Sequence, residues 1–299
     1  MKTKLTIALL LLVTSTMAVA SDQGIEATLQ QQYKDKVLVL CHPLKQDSPQ
    51  FDSDGNPIKN GSEGPWTIYG AILIEKVILR PDKLRLEGNR VFVRFDDKRK
   101  KLVFYEFARH KARVDPPVKE FVPVEIRLSQ PLDSAEQART ILGHVFALSK
   151  ADLLNSLPEF WHSYLRDNFE YGTDNPQGPD KLSGEGKQSN TVSSTTDHKD
   201  STGEIFRCCK DATAPKPIST PEPEFSEAAR YEKFTGVLVL EIVIDKDGRI
   251  AHVKIVKPLG LGLDENAVKN VKTWRFTPGV REGQPVALQM NIEVSFNLY

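Results

Sequence analysis

Two acidic loops contain the residue types that could bind calcium. In the loop that opens at Asp52, Asp54 and Asn56 stand at the spacing of the early oxygen ligands of an EF-hand, and Glu63 stands at the twelfth position. An EF-hand also needs a glycine at the sixth position and a helix on either side. Pro57 takes the glycine position, and no helical pattern flanks the loop. We therefore predict a plain turn here.

The second acidic loop, which opens at Asp245, has the wrong residues at both diagnostic positions. Ile250 stands where an EF-hand has glycine, and Val256 stands where it has glutamate. We predict a hairpin turn from Asp245 to Gly248. The histidines show no metal-ligand spacing either; they are His42, His110, His144, His162, His198 and His252. No metal site is predicted.

The sequence contains no arrangement that selects a catalytic residue. Gly184-Glu185-Gly186-Lys187 lacks the spacing of a phosphate-binding loop, and no nucleophile elbow is present. Lysines plus arginines number 40 and aspartates plus glutamates number 40, so the balanced charge gives no nucleic-acid footprint. We predict no catalytic residue, no cofactor, and neither a nucleic acid nor a small molecule as partner. An enzyme housed in the first domain is the alternative.

The three cysteines bear on redox chemistry. An odd count in an exported protein leaves one thiol over or indicates pairing between chains. Cys208 and Cys209 are adjacent, and a bridge between neighbours is strained, so a bridge from Cys41 to one of them is also open. We predict one structural bridge and one inert thiol rather than a redox function.

The last strand of the sequence has the clearest pattern in the chain. Every even position from Val286 to Leu298 is apolar, and the odd positions between Gln289 and Asn297 are polar. This alternation is typical of a strand with one buried face and one solvated face. At the edge of a sheet, such a strand offers unpaired N–H and C=O groups to an incoming peptide.

We predict that this last strand binds a partner strand through its backbone. The predicted partner-binding residues are Gln289, Asn291, Ile292, Glu293, Val294 and Ser295, together with Pro223 and Phe225 in the extended segment that leads into the domain. Two alternatives stay open for the strand, which are pairing only within its own sheet and pairing in a symmetric homodimer. The lead-in segment has the alternative of being a plain extended connection.

Composition divides the chain into four segments. Residues 1–20 have a basic start, an apolar run and a small-residue cleavage site, which predicts a signal peptide and a mature chain that starts at Ser21. Residues 21–171 are predicted as a mostly β N-terminal domain of unknown role. Residues 172–207 have almost no apolar side chains and are predicted as a disordered linker. Residues 208–299 are predicted as a second folded domain.

Export predicts a periplasmic protein. An uncleaved membrane anchor is the alternative reading of the N-terminus, but its apolar run is shorter than the ~20 residues that a spanning helix needs. The oxidising compartment is compatible with a disulfide bridge.

The N-terminal domain is predicted to be a mostly antiparallel sheet that ends in helices. Lys83 to Phe95 is predicted as a hairpin with its turn at Gly88-Asn89. Apolar residues recur at helical spacing from Ala138 to Phe146, with Asp133 and Glu136 placed like a capping box. A further helix is expected over Ala151 to Phe169, interrupted at Pro158. The fold class of the whole chain is therefore α+β.

The C-terminal domain is predicted as a strand–strand–helix–strand antiparallel sheet module. After a short helix, strands are expected over Gly236 to Asp245 and Ile250 to Val256. The next helix opens at Leu263-Asp264, and the alternating strand follows Gly283-Gln284-Pro285. Trp274 is expected on the same face of this helix as Leu263, Ala267 and Val271, and the helix is expected to end at Phe276-Thr277-Pro278-Gly279. Trp274 is expected to close the core together with Phe276.

These residues resemble the C-terminal domain of the TonB family. The resemblance covers about the last third of the chain and runs, in order, through Phe225-Ser226-Glu227-Ala228-Ala229-Arg230, Gly236-Val237, Asp247-Gly248, Leu263-Asp264, Ala267, Val271, Trp274-Arg275-Phe276-Thr277-Pro278, Gly283-Gln284-Pro285-Val286 and the closing strand. The chain departs from the pattern at Ser226, where many members of the family have proline.

The resemblance implies a periplasmic module that grips a short peptide of an outer-membrane transporter by strand addition. In the family, a proton-driven inner-membrane motor supplies energy through an N-terminal membrane helix and a Pro-rich spacer. This sequence is expected to have a cleavable signal and a folded domain in their place. Our leading hypothesis is a periplasmic protein that binds a peptide of an outer-membrane transporter or another envelope protein. The alternative is a structural envelope protein that self-assembles through the same edge.

Overall fold

The computed structural model describes residues 24–106, 118–172, 205–207 and 212–298, which group into two compact units. Unit 1 contains the described residues up to Val91, Val118–Ser156, and residues 171–172. Unit 2 contains residues 92–106, 157–170, 205–207 and 212–298. The predicted signal peptide lies outside the described residues. The predicted domain boundaries stay a prediction, because the contacts group parts of residues 21–171 with the C-terminal module.

Unit 1 is built on an antiparallel sheet with helices on its apolar face. Its strands follow the order β2-β6-β4-β3-β1-β7, in which only β2 and β6 run parallel. The strands are β1 (Val37–Leu40), β2 (Gln50–Phe51), β3 (Ala71–Arg80), β4 (Lys83–Asp96), β6 (Phe121–Arg127) and β7 (Phe146–Ala147). The helices are α1 (residues 24–33), α2 (Trp66–Tyr69), α3 (Ala135–Val145) and α4 (Lys150–Ser156).

The core of unit 1 follows from alternation along these strands. In β6, Val122, Val124 and Ile126 are fully buried, whereas the residues between them reach solvent. The helices α1 and α3 contribute apolar residues such as Leu29 and Leu142 to the same core. This arrangement confirms the predicted mostly antiparallel sheet with terminal helices.

The predicted hairpin turn at Gly88-Asn89 is wrong. Gly88 lies inside β4, which continues without a break, and the chain turns instead between Arg80 and Lys83. A Cβ atom on Gly88 would lie 2.0 Å from the carbonyl oxygen of Leu73, beside an irregularity in β3. The glycine therefore serves a close backbone approach within the sheet and not a turn.

The cap of α3 also lies one residue from its predicted place. Ser134 is the N-cap, and its hydroxyl accepts a hydrogen bond from the backbone N–H of Gln137 at 3.2 Å. The side chain of Gln137 accepts one from Asp133 N–H at 2.9 Å. The pair is thus Ser134 with Gln137, rather than Asp133 with Glu136, and it satisfies orphan donors in the manner of a capping box.

Unit 2 contains a sheet in the order β11-β10-β14-β13, and β8 also pairs with β14. Its further strands are β5 (Lys101–Glu106), which pairs with β4, β8 (Ile205–Arg207), β9 (Pro217–Ser219), β10 (Gly236–Ile244), β11 (Ile250–Lys257), β12 (Arg275–Phe276), β13 (Gly279–Arg281) and β14 (Gln284–Phe296). Its helices are α5 (Glu159–Asn168), α6 (Glu227–Glu232) and α7 (Leu263–Val271). The strand β8 falls within the predicted linker, of which residues 173–204 lie outside the described residues.

The core of unit 2 lies between the sheet and α7. In β10, Leu238, Leu240, Ile242 and Ile244 are fully buried, as the period-2 pattern predicts. The buried face of α7 includes Leu263, Ala267 and Val271, but the helix ends at Val271, so the prediction that it extends through Trp274 is wrong. Trp274 and Phe276 are also buried, which confirms their predicted place in the core. The predicted strand–strand–helix–strand module and the α+β class are therefore confirmed.

Residues from before the predicted linker complete unit 2. The end of β4 forms two backbone hydrogen bonds with the segment after β11. Phe95 N–H donates to Leu259 O at 2.8 Å, and Leu261 N–H donates to Val93 O at 2.9 Å. The helix α5 packs along β11. The sequence pattern of the C-terminal module gave no indication of these additions.

Both acidic loops are turns that satisfy their own carboxylates. Asp52 accepts hydrogen bonds from the backbone N–H groups of Asp54 and Asn56, which hold the pKa of its carboxyl below the usual value. Asp245 accepts from Asp247 N–H at 2.9 Å and from Arg249 N–H at 2.8 Å. Within the described ranges, no group of three or more His, Cys, Asp or Glu side chains is placed to hold a metal ion.

Candidate functional site: an open edge on the last strand

The strand β14 is the central scaffold of unit 2. It pairs antiparallel with β10 over nine consecutive positions, from Gly236 opposite Phe296 to Ile244 opposite Leu288, without a bulge. Its side chains alternate as predicted, since Leu288, Val294 and Phe296 are buried. One edge of β14 is therefore fully used by β10.

The turn between β10 and β11 determines which backbone groups of β14 face the other edge. Asp245 N–H donates to Arg249 O at 2.8 Å, and Asp245 O accepts from Gly248 N–H at 3.0 Å, so the backbone of Asp245 faces β11. Backbone groups of alternate residues point to the same side of a strand, so the odd-numbered residues of β10 face β11 and its even-numbered residues face β14. In the register of β10 with β14, even-numbered residues lie opposite even-numbered residues. The even-numbered residues of β14 from Leu288 on therefore bond to β10, and the odd-numbered residues direct their N–H and C=O groups away from it.

The outer edge of β14, on the side away from β10, is only partly covered. The strand β8 pairs with residues 287–289 of β14. From Met290 to Phe296, no strand among the described residues pairs with this edge. We call this stretch the open edge. Its outward backbone groups are those of Asn291, Glu293 and Ser295.

The structure divides the predicted partner-binding residues of β14 into three groups. Asn291, Glu293 and Ser295 direct their backbone groups outward along the open edge and have exposed side chains on the polar face of the sheet. Ile292 and Val294 direct theirs toward β10. Gln289 lies where β8 is already paired.

Sequence reasoning missed Met290, whose half-buried side chain lies at the start of the open edge, on the same face of the sheet as Ile292. The signal that could have found it is the alternation of apolar residues at even positions.

The two predicted residues of the lead-in segment lie in different places. The segment around Pro223 runs along α7, because Asn266 donates a side-chain N–H to Glu224 O at 2.9 Å and Asn270 donates one to Glu222 O at 3.2 Å. Pro223 is therefore positioned by α7 rather than by the edge of β14. The carbonyl of Pro221 is held in the same way by the indole N–H of Trp274 at 3.0 Å.

Phe225, in contrast, lies at the far end of the open edge. Its ring meets the ring of Phe296 edge-to-face, with 5.4 Å between the ring centres. The guanidinium of Arg230 lies over Phe225 at 5.5 Å. Next to it, Ser226 caps α6 by accepting from Ala229 N–H at 3.0 Å, and its own hydroxyl donates to Leu261 O at 2.5 Å. Ser226 thus forms two hydrogen bonds at the position where many members of the TonB family have proline.

A buried acidic pair lies at the start of α7. Asp264 is fully buried and accepts backbone N–H bonds from Leu259 at 2.8 Å and Gly260 at 2.5 Å. Burial raises the pKa of Asp264 to about 7. The two backbone hydrogen bonds favour the charged form and offset part of this rise. Burial and the neighbouring charge of Asp264 raise the pKa of Glu265 to about 8. Trp161 of α5 donates its indole N–H to Glu265.

Cys41 in unit 1 is a free thiol. Burial, with a smaller contribution from the charge of Asp152, raises the pKa of Cys41 to about 11. A thiol with such a pKa is a poor nucleophile at neutral pH. Cys208 and Cys209 lie outside the described residues.

Comparisons with known proteins assign unit 2's sheet module. Residues 221–298 match the family model described as "Gram-negative bacterial TonB protein C-terminal". Protein TonB of Vibrio cholerae serotype O1 is 30% identical over 78 residues, which are 26% of this chain and 32% of that protein. The chain thus matches about a third of the length of this curated relative.

Among solved structures, the solution NMR structure of the Pseudomonas aeruginosa TonB CTD is similar at 24% sequence identity. The alignment covers 30% of this chain and 90% of that chain, with a TM-score of 0.26.

The fold and the open edge define a small α+β sheet module whose last strand has unpaired backbone groups. Residues 221–298 are a TonB C-terminal domain. In the described part of the chain, no helix is both long and apolar enough to cross a bilayer.

Proposed function

We propose that this protein binds an extended peptide of an outer-membrane transporter, or of another envelope protein, by strand addition along the open edge. The observation that carries the proposal is the run of outward N–H and C=O groups from Met290 to Phe296, to which no described strand bonds. Unpaired groups of this kind are a template for an added strand. A periplasmic location and a non-enzymatic, binding role follow from the same proposal and agree with the TonB C-terminal domain.

The side chains along the open edge describe the kind of peptide that fits. An added strand would place alternate side chains beside the half-buried Met290 and Ile292, which favours apolar residues there. On the polar face, its other side chains would lie next to Glu293, which forms no ion pair with any described residue. A basic residue opposite Glu293 would contribute a favourable cross-strand pair. The partner peptide is therefore alternating, apolar on one face and basic or polar on the other.

The same edge could instead pair with a second copy of the chain, as a self-assembling envelope protein would require. Two copies of β14 in antiparallel register would satisfy each other's outward groups. Analytical ultracentrifugation of the mature chain distinguishes the two functions. A monomer at micromolar concentration supports peptide binding, whereas a dimer abolished by Glu293→Pro supports self-assembly.

Proline substitution at an outward residue tests the binding function directly. Glu293→Pro removes one outward N–H, and proline is tolerated on an edge strand where its N–H would face away from the sheet. The probe is a panel of synthetic peptides that covers the periplasmic N-terminal segments of outer-membrane transporters. We expect peptides that bind the mature chain to bind Glu293→Pro at least about tenfold more weakly, because an incoming carbonyl loses its donor.

Glu293→Ala is the matched control, since it removes the same carboxylate and keeps the N–H. Thermal melting of each variant checks that the fold is retained. Equal peptide affinity for Glu293→Pro and Glu293→Ala would reject strand addition at the open edge.

A further inference from the structure

The strand β8 covers the part of the outer edge that adjoins the open edge. It runs parallel to β14, with Ile205 opposite Ala287, Phe206 opposite Leu288 and Arg207 opposite Gln289. Its central side chain is held from the hairpin, because the guanidinium of Arg281 lies over the ring of Phe206 at 4.5 Å. A cation over an aromatic face at this distance is an attractive contact.

The backbone groups under β8 belong to the same row as those of the open edge. Gln289 has the parity of Asn291 and Glu293, so its N–H and C=O also face outward. Without β8, the row of outward groups would continue without interruption from Gln289 to Ser295. The chain thus covers one end of a longer acceptor edge with its own backbone.

Several features make β8 a weak occupant of this position. It has three residues, of which Ile205 and Phe206 are half-buried and Arg207 is exposed. Parallel pairing is slightly weaker per residue than antiparallel pairing. Segments with few buried apolar contacts open at low free energy. Most of what holds β8 is therefore the contact between Phe206 and Arg281 and the backbone bonds to β14.

We propose that β8 is an intrachain competitor for the outer edge of β14, latched by Phe206 under Arg281. A partner strand that extends beyond the open edge displaces β8 and gains the outward groups of Gln289. While β8 is bound, the edge accepts only the shorter stretch from Met290 to Phe296. The identity of the displacing partner rests on the proposed function, whereas the competition itself does not.

Amide hydrogen exchange tests whether β8 protects the edge. In the mature chain with Phe206→Ala, we expect the amide of Gln289 to exchange at least about tenfold faster than in the wild type. The amide of Leu288 should be unaffected, because it faces β10. Phe121→Ala, which removes a half-exposed phenylalanine from unit 1, is the matched control. Arg281→Lys keeps the charge but loses the planar stacking group, and it should produce a smaller increase at Gln289.

A peptide supplied in trans tests the competition without any envelope partner. The probe is the synthetic peptide Ser-Thr-Gly-Glu-Ile-Phe-Arg, which reproduces residues 201–207, with a scrambled peptide as control. A tethered strand acts at an effective concentration on the order of millimolar, so in the wild type it should exclude the peptide. We expect the peptide to shift the NMR amide signal of Gln289 in Phe206→Ala with at least about tenfold higher affinity than in the wild type.

The outcomes separate this inference from the proposed function. Unchanged exchange at Gln289 in Phe206→Ala, or equal peptide affinity for both proteins, overturns the latch. If the latch passes both tests and no transporter peptide binds either protein, the proposed function fails and the competition stands. If transporter peptides bind wild type and Phe206→Ala equally, the partner uses the open edge without displacing β8, which also overturns the inference.

Discussion

Trp161 on α5 donates its indole N–H to the carboxylate of Glu265 on α7, with 3.2 Å between Nε1 and Oε1. The two residues are 104 positions apart in the chain and lie in the same compact unit. This bond joins a helix from before the predicted linker to the helix of the TonB C-terminal domain.

The bond between Trp161 and Glu265 should stabilise unit 2. Trp161→Phe keeps an aromatic ring but removes the donor, and a buried acceptor left without its donor costs about 1–3 kcal/mol. Urea denaturation should therefore show a lower free energy of unfolding for Trp161→Phe. A double-mutant cycle with Glu265→Leu, which removes the acceptor, isolates the pair, and additive effects of the two substitutions would contradict the interaction.

The stability of unit 2 should fall as the pH rises toward 8. The pKa values of Asp264 and Glu265 are raised to about 7 and about 8, from ordinary values of 3.8 and 4.5. Because the native state holds these protons more tightly than the unfolded chain, the stability is complete below about pH 4 and is lost as the pH passes through 7 to 8. Thermal melting at about pH 5 and about pH 8.5 should give a lower midpoint at the higher pH.

Glu265→Gln is the control for this pH dependence. It removes one titrating group while it keeps a side chain that can accept from Trp161. The difference in melting midpoint between the two pH values should shrink in this variant. A wild-type midpoint that rises with pH over the same range would contradict the raised pKa values.

Gly88 should not tolerate a side chain. Its missing Cβ would lie 2.0 Å from the carbonyl oxygen of Leu73 on the neighbouring strand, so we expect Gly88→Ala to lower the free energy of unfolding by about 1–3 kcal/mol. Gly143→Ala is a matched control within the same unit, because its Cβ would meet Leu148 at an ordinary 3.6 Å. In the helix α3 it should stabilise by about 0.5–1 kcal/mol. Chemical denaturation of both variants measures the contrast, and equal effects would disprove the clash.

Cys41 should react slowly with alkylating agents at neutral pH. Its pKa, raised from 9.0 to about 11 by burial, leaves about a hundredfold less thiolate than an ordinary cysteine has. The measurement is the iodoacetamide rate at pH 7.5 in a Cys208→Ser, Cys209→Ser background, where Cys41 is the only thiol. The rate should rise with pH and reach that of a normal thiol in urea. Equal rates in native and unfolded protein would refute the raised pKa.

The local pattern of the sequence was enough to predict the module that contains the open edge. Alternation from Val286 to Leu298 placed the buried face of β14, since side chains in a strand alternate whatever its neighbours are. The helical spacing after Leu263 and the aromatic pair Trp274 and Phe276 likewise described packing that each element carries in its own residues.

Other features were decided only by the tertiary structure, because they depend on residues far apart in the chain. Which backbone groups of β14 face outward follows from its register with β10 and from the turn at Asp245, and how many stay open follows from β8, whose three residues carry no strand signal of their own. Gly88 was misread as a turn because its role is set by the carbonyl of Leu73 across the sheet. The contribution of Trp161 to the C-terminal unit is a contact over 104 positions. Periodicity shows which face of a helix or strand is apolar. Strand pairing and tertiary packing determine which residues that face contacts and which strand pairs with each edge.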